Sequence, residues 1–325
     1  MRVEPHAIAR LARRLEHGNV VISATNGKTT TAAMVAAILE RRGTRLVHNR
    51  AGANLAGGVA TALSRAARLD RSGISVDGDL GLFEVDEFWL DRVVAQLHPR
   101  ALLLANLFRD QLDRYGELEA IADRWAATIA ANPRTQLVLN ADDPLVADLG
   151  RGREARYFGV HDDAVALPAL AHAADSKHCR RCGAPYVYDA VYLGHLGRYR
   201  CPNGDSERPE PTVRAEAVVL EGVRAARLRL RTPAGDADVH LPLPGLYNVY
   251  NALAATSLAL ELGAGLRDVV AGLEGMRAAF GRAETVRIAD RDLTLLLVKN
   301  PAGANEVLRT LALEEGEHDL LAVLN

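Results

Sequence analysis

The segment NVVISATNGKTTT, residues 19–31, decides the fold of this chain. It opens with a short run of β-branched residues, which predicts a strand, and continues into a loop that contains Gly27 and Lys28. Apolar residues then recur with helical spacing from about residue 30 to residue 42, and Gly43 ends the predicted helix. A strand, a loop and a helix in this order gather backbone N–H groups and the positive end of a helix dipole at one point, which favours phosphate binding.

The loop matches only part of the general phosphate-binding pattern G-x-x-x-x-G-K-[ST], because the first glycine of that pattern would fall at Ile22. A bare GKT sequence is common by chance, and the alternative is an ordinary turn with a surface lysine. The flanking strand and helix favour the nucleotide interpretation. In that interpretation Lys28 reaches the terminal phosphates and Thr29 binds magnesium.

Lysine is rare in this chain. Of 39 lysines and arginines only three are lysines, Lys28, Lys177 and Lys299, which leaves 36 arginines. The few positions that keep lysine are therefore candidates for sites where a compact ammonium is required and a planar guanidinium does not fit. We expect Lys28→Ala to abolish nucleotide-dependent turnover but to spare the fold, because the loop backbone shapes the turn. Lys299 is a second candidate, and its alternative is a strand-end lysine with its head in solvent.

Length and composition describe an ordinary globular protein. The 325 residues exceed the usual size of one hydrophobic core, which favours two domains. A net charge of −2 gives no general attraction to nucleic acid or to anionic membranes. No stretch approaches the roughly 18 to 20 apolar residues of a membrane span. Residues 1–18 are interpreted as a first helix and not as a signal peptide, so we expect a cytoplasmic protein with no nucleic-acid partner and no membrane span.

Strands and helices alternate along the first half of the chain. This alternation predicts an α/β fold with a P-loop-type, doubly wound parallel sheet and helices on both faces. The predicted strands are 19–24, 44–48, 79–85, 100–105 and 136–139, and the predicted helices are about 30–42, 55–69 and 117–131.

The alternation stops near residue 171, and a polar, turn-rich segment follows at 175–211. β-rich segments at 215–220, 226–231 and 236–241 and helices at 247–262 and 266–276 resume the pattern. A new strand, helix and strand are predicted at 294–298, 304–312 and 320–324, and one such unit is too small to bury a core alone. We therefore expect a central domain over 1–285 with a ribbon insertion at about 175–211, and a truncated, Rossmann-like C-terminal domain over 286–325.

The three cysteines of the chain, Cys179, Cys182 and Cys201, all lie in the predicted insertion. A clustered, odd set favours metal binding over a disulfide framework. Cys179 and Cys182 form one C-x-x-C turn, but the second turn has Gly204 where a fourth cysteine would complete a tetrahedral zinc site. The interpretations are a zinc site with another fourth ligand, or a site that has lost its metal. The candidate fourth ligands are His178, His195 and Asp205, and each histidine alone is also typical of a surface or a turn.

The motifs of the chain, taken in order, resemble those of the Mur ligase family. The loop resembles the family's form [AG]-T-[NK]-G-K-[ST]-[ST], and the cysteine-containing insertion resembles a subgroup of synthetase subunits that amidate a cell-wall precursor. The resemblance covers nearly the whole chain. The segments that carry it are ATNGKTT at 24–30, FEVDE at 83–87, NLFRDQLDRYG at 106–116, NADDP at 140–144, GLYNVYN at 245–251, FGRAE at 280–284 and LVKNPAGANEVL at 297–308.

This resemblance implies ATP and magnesium at the loop and, in the insertion, zinc on the three cysteines. It implies phosphorylation of a carboxylate to an acyl phosphate, which ammonia then attacks. The implied magnesium ligands are Thr29 and Glu84. The implied nucleotide-binding residues are Thr25, Asn26, Gly27, Lys28, Thr29, Thr30, Asn248, Asn251 and Arg282. The implied catalytic residues are Lys28, Glu84, Arg282 and Lys299.

Each of these residues also has a plainer interpretation. Glu84 is also consistent with an acidic strand end in solvent, Asn248 and Asn251 with helix capping, and Arg282 with one more surface arginine. The segment HNRAGANLAGG at 48–58 adds a further set of candidates for gripping the substrate or the nucleotide, against the alternative of a glycine-rich connection. Those candidates are Arg50, Gly52 and Asn54.

Two positions depart from the family pattern: Gln111 and Tyr247 replace histidines that the family usually has. These changes weaken the case for an ordinary muropeptide ligase and favour the amidating subgroup. The subgroup implies lipid II as substrate, amidated at the α-carboxyl of its D-glutamate, and a GatD-type class I glutamine amidotransferase as heterodimer partner. The alternatives are another Mur-type ligase that adds an amino acid, such as a folylpolyglutamate-synthase relative, and a nucleotide-binding scaffold without turnover.

Overall fold

A mixed sheet of nine strands organises the chain. The computed structural model describes residues 6–49, 53–71, 73–109, 117–170, 174–277, 284–289, 291–296, 298 and 300–314. Within these ranges the helices are α1 (Ala7–Ala12), α2 (Lys28–Glu40), α3 (Ala56–Ala66), α4 (Leu90–Leu97), α5 (Glu117–Ala131), α6 (Pro144–Asp148), α7 (Leu246–Glu261), α8 (Leu266–Glu274) and α9 (Pro301–Leu311). The strands are β1 (Asn19–Ser23), β2 (Leu46–His48), β3 (Ala67–Asp70), β4 (Gly73–Val76), β5 (Leu80–Glu84), β6 (Ala101–Leu104), β7 (Gln136–Asn140), β8 (Ala155–Val160), β9 (Val187–Leu193), β10 (Leu196–Arg200), β11 (Val213–Glu221), β12 (Ala225–Thr232), β13 (Gly235–Leu241), β14 (Glu284–Ile288) and β15 (Arg291–Leu295).

The strand order places β1 inside the sheet, with β5 on one side and β6 on the other. The full order is β13, β12, β11, β8, β7, β6, β1, β5, β2. All neighbours from β2 to β11 pair in parallel, and β11, β12 and β13 form an antiparallel extension. From β1 the chain first adds strands on one side, β2 and β5, and then adds β6, β7 and β8 on the other side. Open α/β sheets bind ligands where the direction of strand addition reverses, outside the carboxyl ends of the strands.

Residues of the parallel strands alternate between two apolar cores. Val20 and Ile22 of β1 face the core that contains α2, α7 and α8, whereas Val21 faces the core that contains α1, α3, α4 and α5. All three side chains are fully buried. A parallel strand that helices cover on both faces is apolar throughout, which explains the unbroken run of this strand in the sequence.

The prediction of an α/β fold with a mainly parallel, doubly wound sheet is confirmed. The predicted helix 55–69 is wrong at its end, because α3 stops at Ala66 and the next residues form β3, which pairs with β4. Gly73 closes that hairpin with a φ of +119°, a conformation that glycine adopts easily. The sequence reasoning also missed α4 and β8, both of which are short.

The connection between β8 and β11 contains the inserted module. Its strands β9 and β10 pair with each other, and isolated antiparallel bridges join Leu167 to Val191 of β9 and Glu207 to Arg200 of β10. Gly194, with a φ of +60°, forms the turn between the two strands. The predicted ribbon insertion at about 175–211 falls within this connection, while the division of the chain into domains stays a prediction.

After the central sheet, β14 and β15 form an antiparallel hairpin that leads into α9. The strand predicted at 294–298 occupies Arg291–Leu295 instead, and the helix predicted to begin at residue 304 begins at Pro301. The earlier start has a local cause: the Asn300 side chain accepts a hydrogen bond from Gly303 N at 2.9 Å, and proline suits the first helical position. The strand predicted at 320–324 lies outside the described residues.

Helix α7 runs through the centre of one core and is apolar on almost every side. Such a helix is typical of a buried position between a sheet and other helices. Among the residues that the structure describes, no helix has both the length and the apolar character needed to cross a membrane.

Two glycines offer a test of the helix packing. A Cβ on Gly272 of α8 would lie 3.0 Å from Cα and 3.1 Å from N of Ile38 in α2, so the two helices touch through their backbones. We expect Gly272→Ala to lower the free energy of unfolding by about 2 kcal/mol, because a backbone contact has to shift. Gly57 in α3 has open space around it, so Gly57→Ala should raise the same quantity by about 0.5 kcal/mol. Urea unfolding measures both, and equal effects would contradict the close α2–α8 contact.

Candidate functional site

The loop after β1 turns at Gly27, which adopts a φ of +84° and is the N-cap of α2. A Cβ at this position would lie 2.1 Å from Asn251 Oδ1 in α7. Both the backbone conformation and the lack of space therefore require glycine. The loop brings the first N–H groups of α2 to the end of β1, which is the arrangement that stabilises bound phosphate.

Asn106, at the end of the neighbouring strand β6, holds this loop in place. Its Oδ1 accepts a hydrogen bond from Asn26 N at 2.9 Å, and its Nδ2 donates to Asn26 O at 3.0 Å. The backbone of the same residue accepts from Thr25 N at 3.0 Å. The Thr25 hydroxyl in turn accepts from Phe108 N at 3.1 Å. Asn106 had no individual predicted role, although this residue begins the segment NLFRDQLDRYG.

The NADD segment after β7 supports the residues that follow β6. Asn140 Nδ2 donates to Ala105 O at 2.8 Å, and Asp143 Oδ2 accepts from Leu107 N at 2.8 Å. Asn140 and Asp143 are buried. Three successive strand ends, those of β7, β6 and β1, are thus linked by side-chain amides and a carboxylate, and the linkage ends at the loop.

Lys28 lies in the wall of the site and is only 8% exposed. Its ammonium donates to Glu87 Oε2 at 2.8 Å, to the carbonyl of Ala24 and, at 3.4 Å, to that of Thr25. Glu87 is 4% exposed, so the ion pair is buried. In the FEVDE segment, Glu84 was the predicted functional residue, whereas Glu87 had no predicted role; its pairing with Lys28 spans 59 positions of sequence.

Glu84 ends β5 directly beside β1, where it is in register with Ile22. Its side chain is 1% exposed, so the alternative of an acidic strand end in solvent does not hold. Asn49 clamps its backbone: Glu84 N donates to Asn49 Oδ1 at 3.0 Å, and Asn49 Nδ2 donates to Glu84 O at 2.8 Å. The structure therefore fixes Glu84 at the strand end next to the loop.

A cavity of about 350 Å³ opens above the loop. Its polar part consists of the loop and the first turn of α2, together with Asn54 and Asn106. Its other part is largely apolar and aromatic. The residues that line it are Thr25, Asn26, Gly27, Lys28, Thr29, Thr30, Ala33, Asn54, Asn106, Phe108, Leu193, Leu196, Leu243, Tyr247, Asn248, Tyr250, Asn251, Met276, Arg277, Asn300, Ala302, Gly303, Glu306 and Val307.

Asn248 and Asn251 lie in the first two turns of α7 and face the loop. The interpretation of Asn248 as the N-cap is wrong, because Gly245 occupies that position. Asn248 Nδ2 instead donates to Pro244 O at 2.7 Å, and Asn251 Nδ2 donates to Asn248 Oδ1 at 3.1 Å. Asn251 Oδ1 also accepts from the Thr31 hydroxyl at 3.3 Å, so this pair braces α2 against α7.

Tyr247, which stands where the family resemblance implies a histidine, also lines the cavity. Burial, with a smaller contribution from the charge of Glu306, raises the pKa of Tyr247 to about 12. The phenol is therefore neutral throughout the physiological pH range.

The first turns of α9 complete the cavity wall. The side-chain amides of Asn26 and Asn300 pair reciprocally, at 3.4 Å and 3.2 Å between nitrogen and oxygen. Glu306 Oε1 accepts from Leu246 N at 2.8 Å, at the start of α7. Burial raises the pKa of Glu306, and the charge of Arg309 and the bond from Leu246 oppose this shift. Sequence reasoning missed Asn300 and Glu306, although both lie within the quoted segment 297–308.

The structure does not reach every predicted site residue. Thr25, Asn26, Gly27, Thr29 and Thr30 all line the cavity with Lys28, as does Asn54. Five of the predicted site residues lie outside the described residues, and their roles stay predictions: Arg50, Gly52, Gln111, Arg282 and Lys299.

The three cysteines form one cluster, in which the sulfur atoms all lie within 4.8 Å of one another. Cys182 Sγ and Cys201 Sγ are 3.4 Å apart. Among the described residues no His, Asp or Glu joins the three at this distance. Gly204, at the predicted fourth position, has a φ of +77° and open space around it.

His195 does not complete the cysteine cluster. It lies at the turn between β9 and β10, where it is fully buried, and its Nε2 is 3.3 Å from Asp143 Oδ2. Its ring packs on Phe108 with 4.7 Å between the ring centres. The interpretation of His195 as a surface or turn histidine is therefore right about the turn and wrong about the surface, because the side chain is buried beside the loop after β6.

Comparison with known proteins agrees with this geometry. Residues 22–182 match the model of the Mur ligase middle domain. The MurT subunit of lipid II isoglutaminyl synthase (glutamine-hydrolyzing) from Staphylococcus aureus is 30% identical over 325 residues, which are 100% of this chain and 70% of that protein. The chain belongs to the Mur ligase family. The MurT subunit from Streptococcus pneumoniae is 32% identical, over 94% of this Mur ligase and 66% of its own length.

Solved Mur ligase structures have the same fold. A pseudomurein peptide ligase type C from Methanothermus fervidus has a TM-score of 0.75 and 27% identity, covering 93% of this chain and 57% of its own. MurF from Acinetobacter baumannii has a TM-score of 0.69 at 20% identity, which supports the fold alone. This Mur ligase thus spans about two thirds of the length of its MurT relatives and somewhat more than half of these solved chains.

The buried pair of Lys28 and Glu87 revises the expectation for Lys28→Ala. Removal of the ammonium leaves a buried carboxylate without its charge partner, so we expect the free energy of unfolding to fall by about 3 kcal/mol. A double variant, Lys28→Met with Glu87→Gln, should recover at least half of that loss, because it removes both charges and keeps similar volumes. Thermal or urea unfolding of the three proteins measures this. If Lys28→Ala were as stable as the original chain, the pair would not be buried as described.

Proposed function

We propose that this chain is the ATP-dependent synthetase subunit of a lipid II isoglutaminyl synthase. Its reaction would convert the α-carboxylate of D-glutamate in the lipid II stem peptide to an amide. The observation that carries the proposal is the cavity in which the Gly27 turn and the first N–H groups of α2 form one end and apolar side chains form the other. The names of the MurT relatives supply the substrate class.

The two ends of the cavity suit the two ends of ATP. The loop offers backbone N–H groups, the dipole of α2 and the ammonium of Lys28 to the phosphates. Phe108, Tyr247 and Met276 offer apolar and aromatic surface to the base. Lys28 has to exchange at least one of its present oxygen partners for a phosphate oxygen, and Glu87 is the partner that competes most strongly because it is charged.

The proposed chemistry has two steps. A carboxylate oxygen of the substrate attacks the γ-phosphorus of ATP, ADP leaves, and an acyl phosphate forms. Ammonia then attacks the acyl carbon, phosphate leaves, and the loss of a proton from nitrogen gives the amide. Negative charge shifts on the transferred phosphoryl group in the first step, so fixed donors at the loop stabilise its transition state.

Magnesium fits the donors near the loop. Hydroxyl and carboxylate oxygens are the ligands that this ion prefers, and Thr29 and Glu84 would provide them. Thr29 lines the cavity, and Glu84 is held at the adjacent strand end by Asn49. When bound, the ion would offset charge on the phosphate oxygens. Lys28 and the loop backbone would orient the same phosphates.

The ammonia would come from a partner. The MurT relatives are named as subunits of a glutamine-hydrolyzing synthase, which favours a separate glutaminase subunit of the GatD type. The cysteines of this chain lie together in the inserted module, so they do not suggest a glutaminase nucleophile. We propose a heterodimer in which this chain activates the carboxylate and the partner releases ammonia.

The cysteine cluster fits zinc. Tetrahedral zinc with Zn–S bonds of about 2.3 Å places its sulfur ligands roughly 3.8 Å apart, and the three sulfurs already lie within 4.8 Å of one another. Three thiolates would hold the ion, and the fourth position would be open to water or to a nearby side chain such as Asp205. The ion would tie the Cys179–Cys182 turn to the turn at Cys201.

The amidation proposal predicts a specific dependence on both subunits. With a GatD-type partner, glutamine, Mg·ATP and lipid II, the chain should form the amide and ADP in equal amounts, and Lys28→Ala should reduce the rate by at least about a hundredfold. Supplying ammonia directly should replace glutamine and the partner. Turnover with an amino acid but not with ammonia would instead support a Mur-type amino-acid ligase. Binding of ATP without any turnover would support a nucleotide-binding scaffold.

Zinc binding predicts an effect of the missing cysteine. Because Gly204 leaves the fourth position without a protein sulfur, we expect a chelator to remove zinc from the chain readily. Gly204→Cys should tighten zinc binding by at least about tenfold, despite the cost of a non-glycine residue at positive φ. Competition with a chromophoric chelator measures the affinity, and Gly183→Cys, which adds a thiol to the other turn, is the control. Equal affinity in the original chain and Gly204→Cys would contradict the open position.

A further inference from the structure

The inserted hairpin forms part of the cavity wall. Leu193 and Leu196, which flank its turn, line the cavity. A Cβ on Gly194 would lie 2.9 Å from Phe108 Cε1 and 3.6 Å from Ala302 Cβ. The turn is therefore wedged between the residues after β6 and the first turn of α9.

Arg309 of α9 donates hydrogen bonds to two backbone carbonyls in the connection that contains this hairpin. Its guanidinium donates to Tyr192 O in β9 at 3.1 Å and to Val165 O, in the connection before β9, at 2.7 Å. Its Nη1 also lies 3.8 Å from Glu306 Oε2. Carbonyl oxygens of the backbone are fixed in direction, and a planar guanidinium that spans two of them fixes the helix in position as well as in rotation.

The residues that α9 presents to the cavity are close to this anchor. Glu306 is one turn before Arg309 on the same side of the helix, and it is 3% exposed and bound to Leu246 N. Asn300 precedes the helix and pairs with Asn26 of the loop. Arg309 itself is not among the residues that line the cavity, so any effect it has on a ligand passes through the helix.

We propose that the inserted hairpin is the seat of α9, and that Arg309 is a positioning residue that keeps Asn300 and Glu306 in the wall of the nucleotide cavity. The inference rests on the proposed function of the cavity. It gives the insertion a second task besides metal binding: one end of the hairpin carries the cysteine cluster, and the other end fixes a helix beside the phosphate loop.

The test compares Arg309→Ala, Arg309→Lys and Arg267→Ala with the original chain. Arg267 is an exposed residue of α8, so its change to alanine controls for the loss of one positive charge. Calorimetry gives the Kd for the magnesium complex of a non-hydrolysable ATP analogue, and hydrogen exchange reports on the amides of residues 302–311 and of α2. We expect Arg309→Ala to weaken binding about tenfold and to speed exchange in α9 but not in α2. Arg309→Lys should restore less than half of the loss on a logarithmic scale, because an ammonium does not span both carbonyls, and Arg267→Ala should change nothing.

The outcomes separate this inference from the proposed function. Absence of analogue binding by the original chain would refute the nucleotide cavity itself. Binding by the original chain with an equal Kd for Arg309→Ala would overturn the inference alone, as would weaker binding with unchanged exchange in α9. Full recovery by Arg309→Lys, or an equal loss in Arg267→Ala, would show that charge and not the two-carbonyl contact matters.

Discussion

The site depends on the close contact between Gly27 and Asn251. Any side chain at position 27 would collide with the amide of Asn251, and any displacement of α7 would remove the brace that α7 gives to α2. The contact therefore fixes the distance between the two helices that enclose the loop. On the other side, Asn106 binds the loop backbone through both ends of its amide. The conformation of the loop is thus held by side chains of other elements as well as by its own sequence.

Partners for buried polar groups explain much of the surrounding sequence. Burial of a polar group lowers the stability of the folded protein unless another group replaces the hydrogen bonds that water made. Asp142, which is fully buried, accepts from Arg208 Nε at 2.6 Å, from the Tyr250 hydroxyl at 2.7 Å and from Val160 N at 2.8 Å. These bonds join α7, the end of the inserted module and β8. The NADD segment thus connects several elements beneath the cavity through buried hydrogen bonds. The buried pair of Lys28 and Glu87 connects the loop to the segment after β5 in the same way.

Local sequence predicted the parts of the fold that depend on local periodicity. The strand, loop and helix at 19–40 and the parallel sheet follow from apolar patterning, because buried parallel strands are apolar on both faces. The spacing of the cysteines predicted their cluster. The partners of the loop were not predictable in the same way: Glu87 is 59 positions from Lys28 and Asn300 is 274 positions from Asn26. Packing of distant elements chooses such pairs. The position of His195 under Phe108 also depends on how the hairpin folds back, which no pattern in its own segment indicates.

The most direct test is a crystal structure of the chain with magnesium and a non-hydrolysable ATP analogue. We predict that the phosphates contact the backbone N–H groups of residues 27–29, that the Lys28 ammonium has turned from Glu87 toward a phosphate oxygen, and that the base lies near Tyr247 and Met276. An analogue bound at another surface, with Lys28 still paired to Glu87 and the cavity without nucleotide, would contradict this prediction.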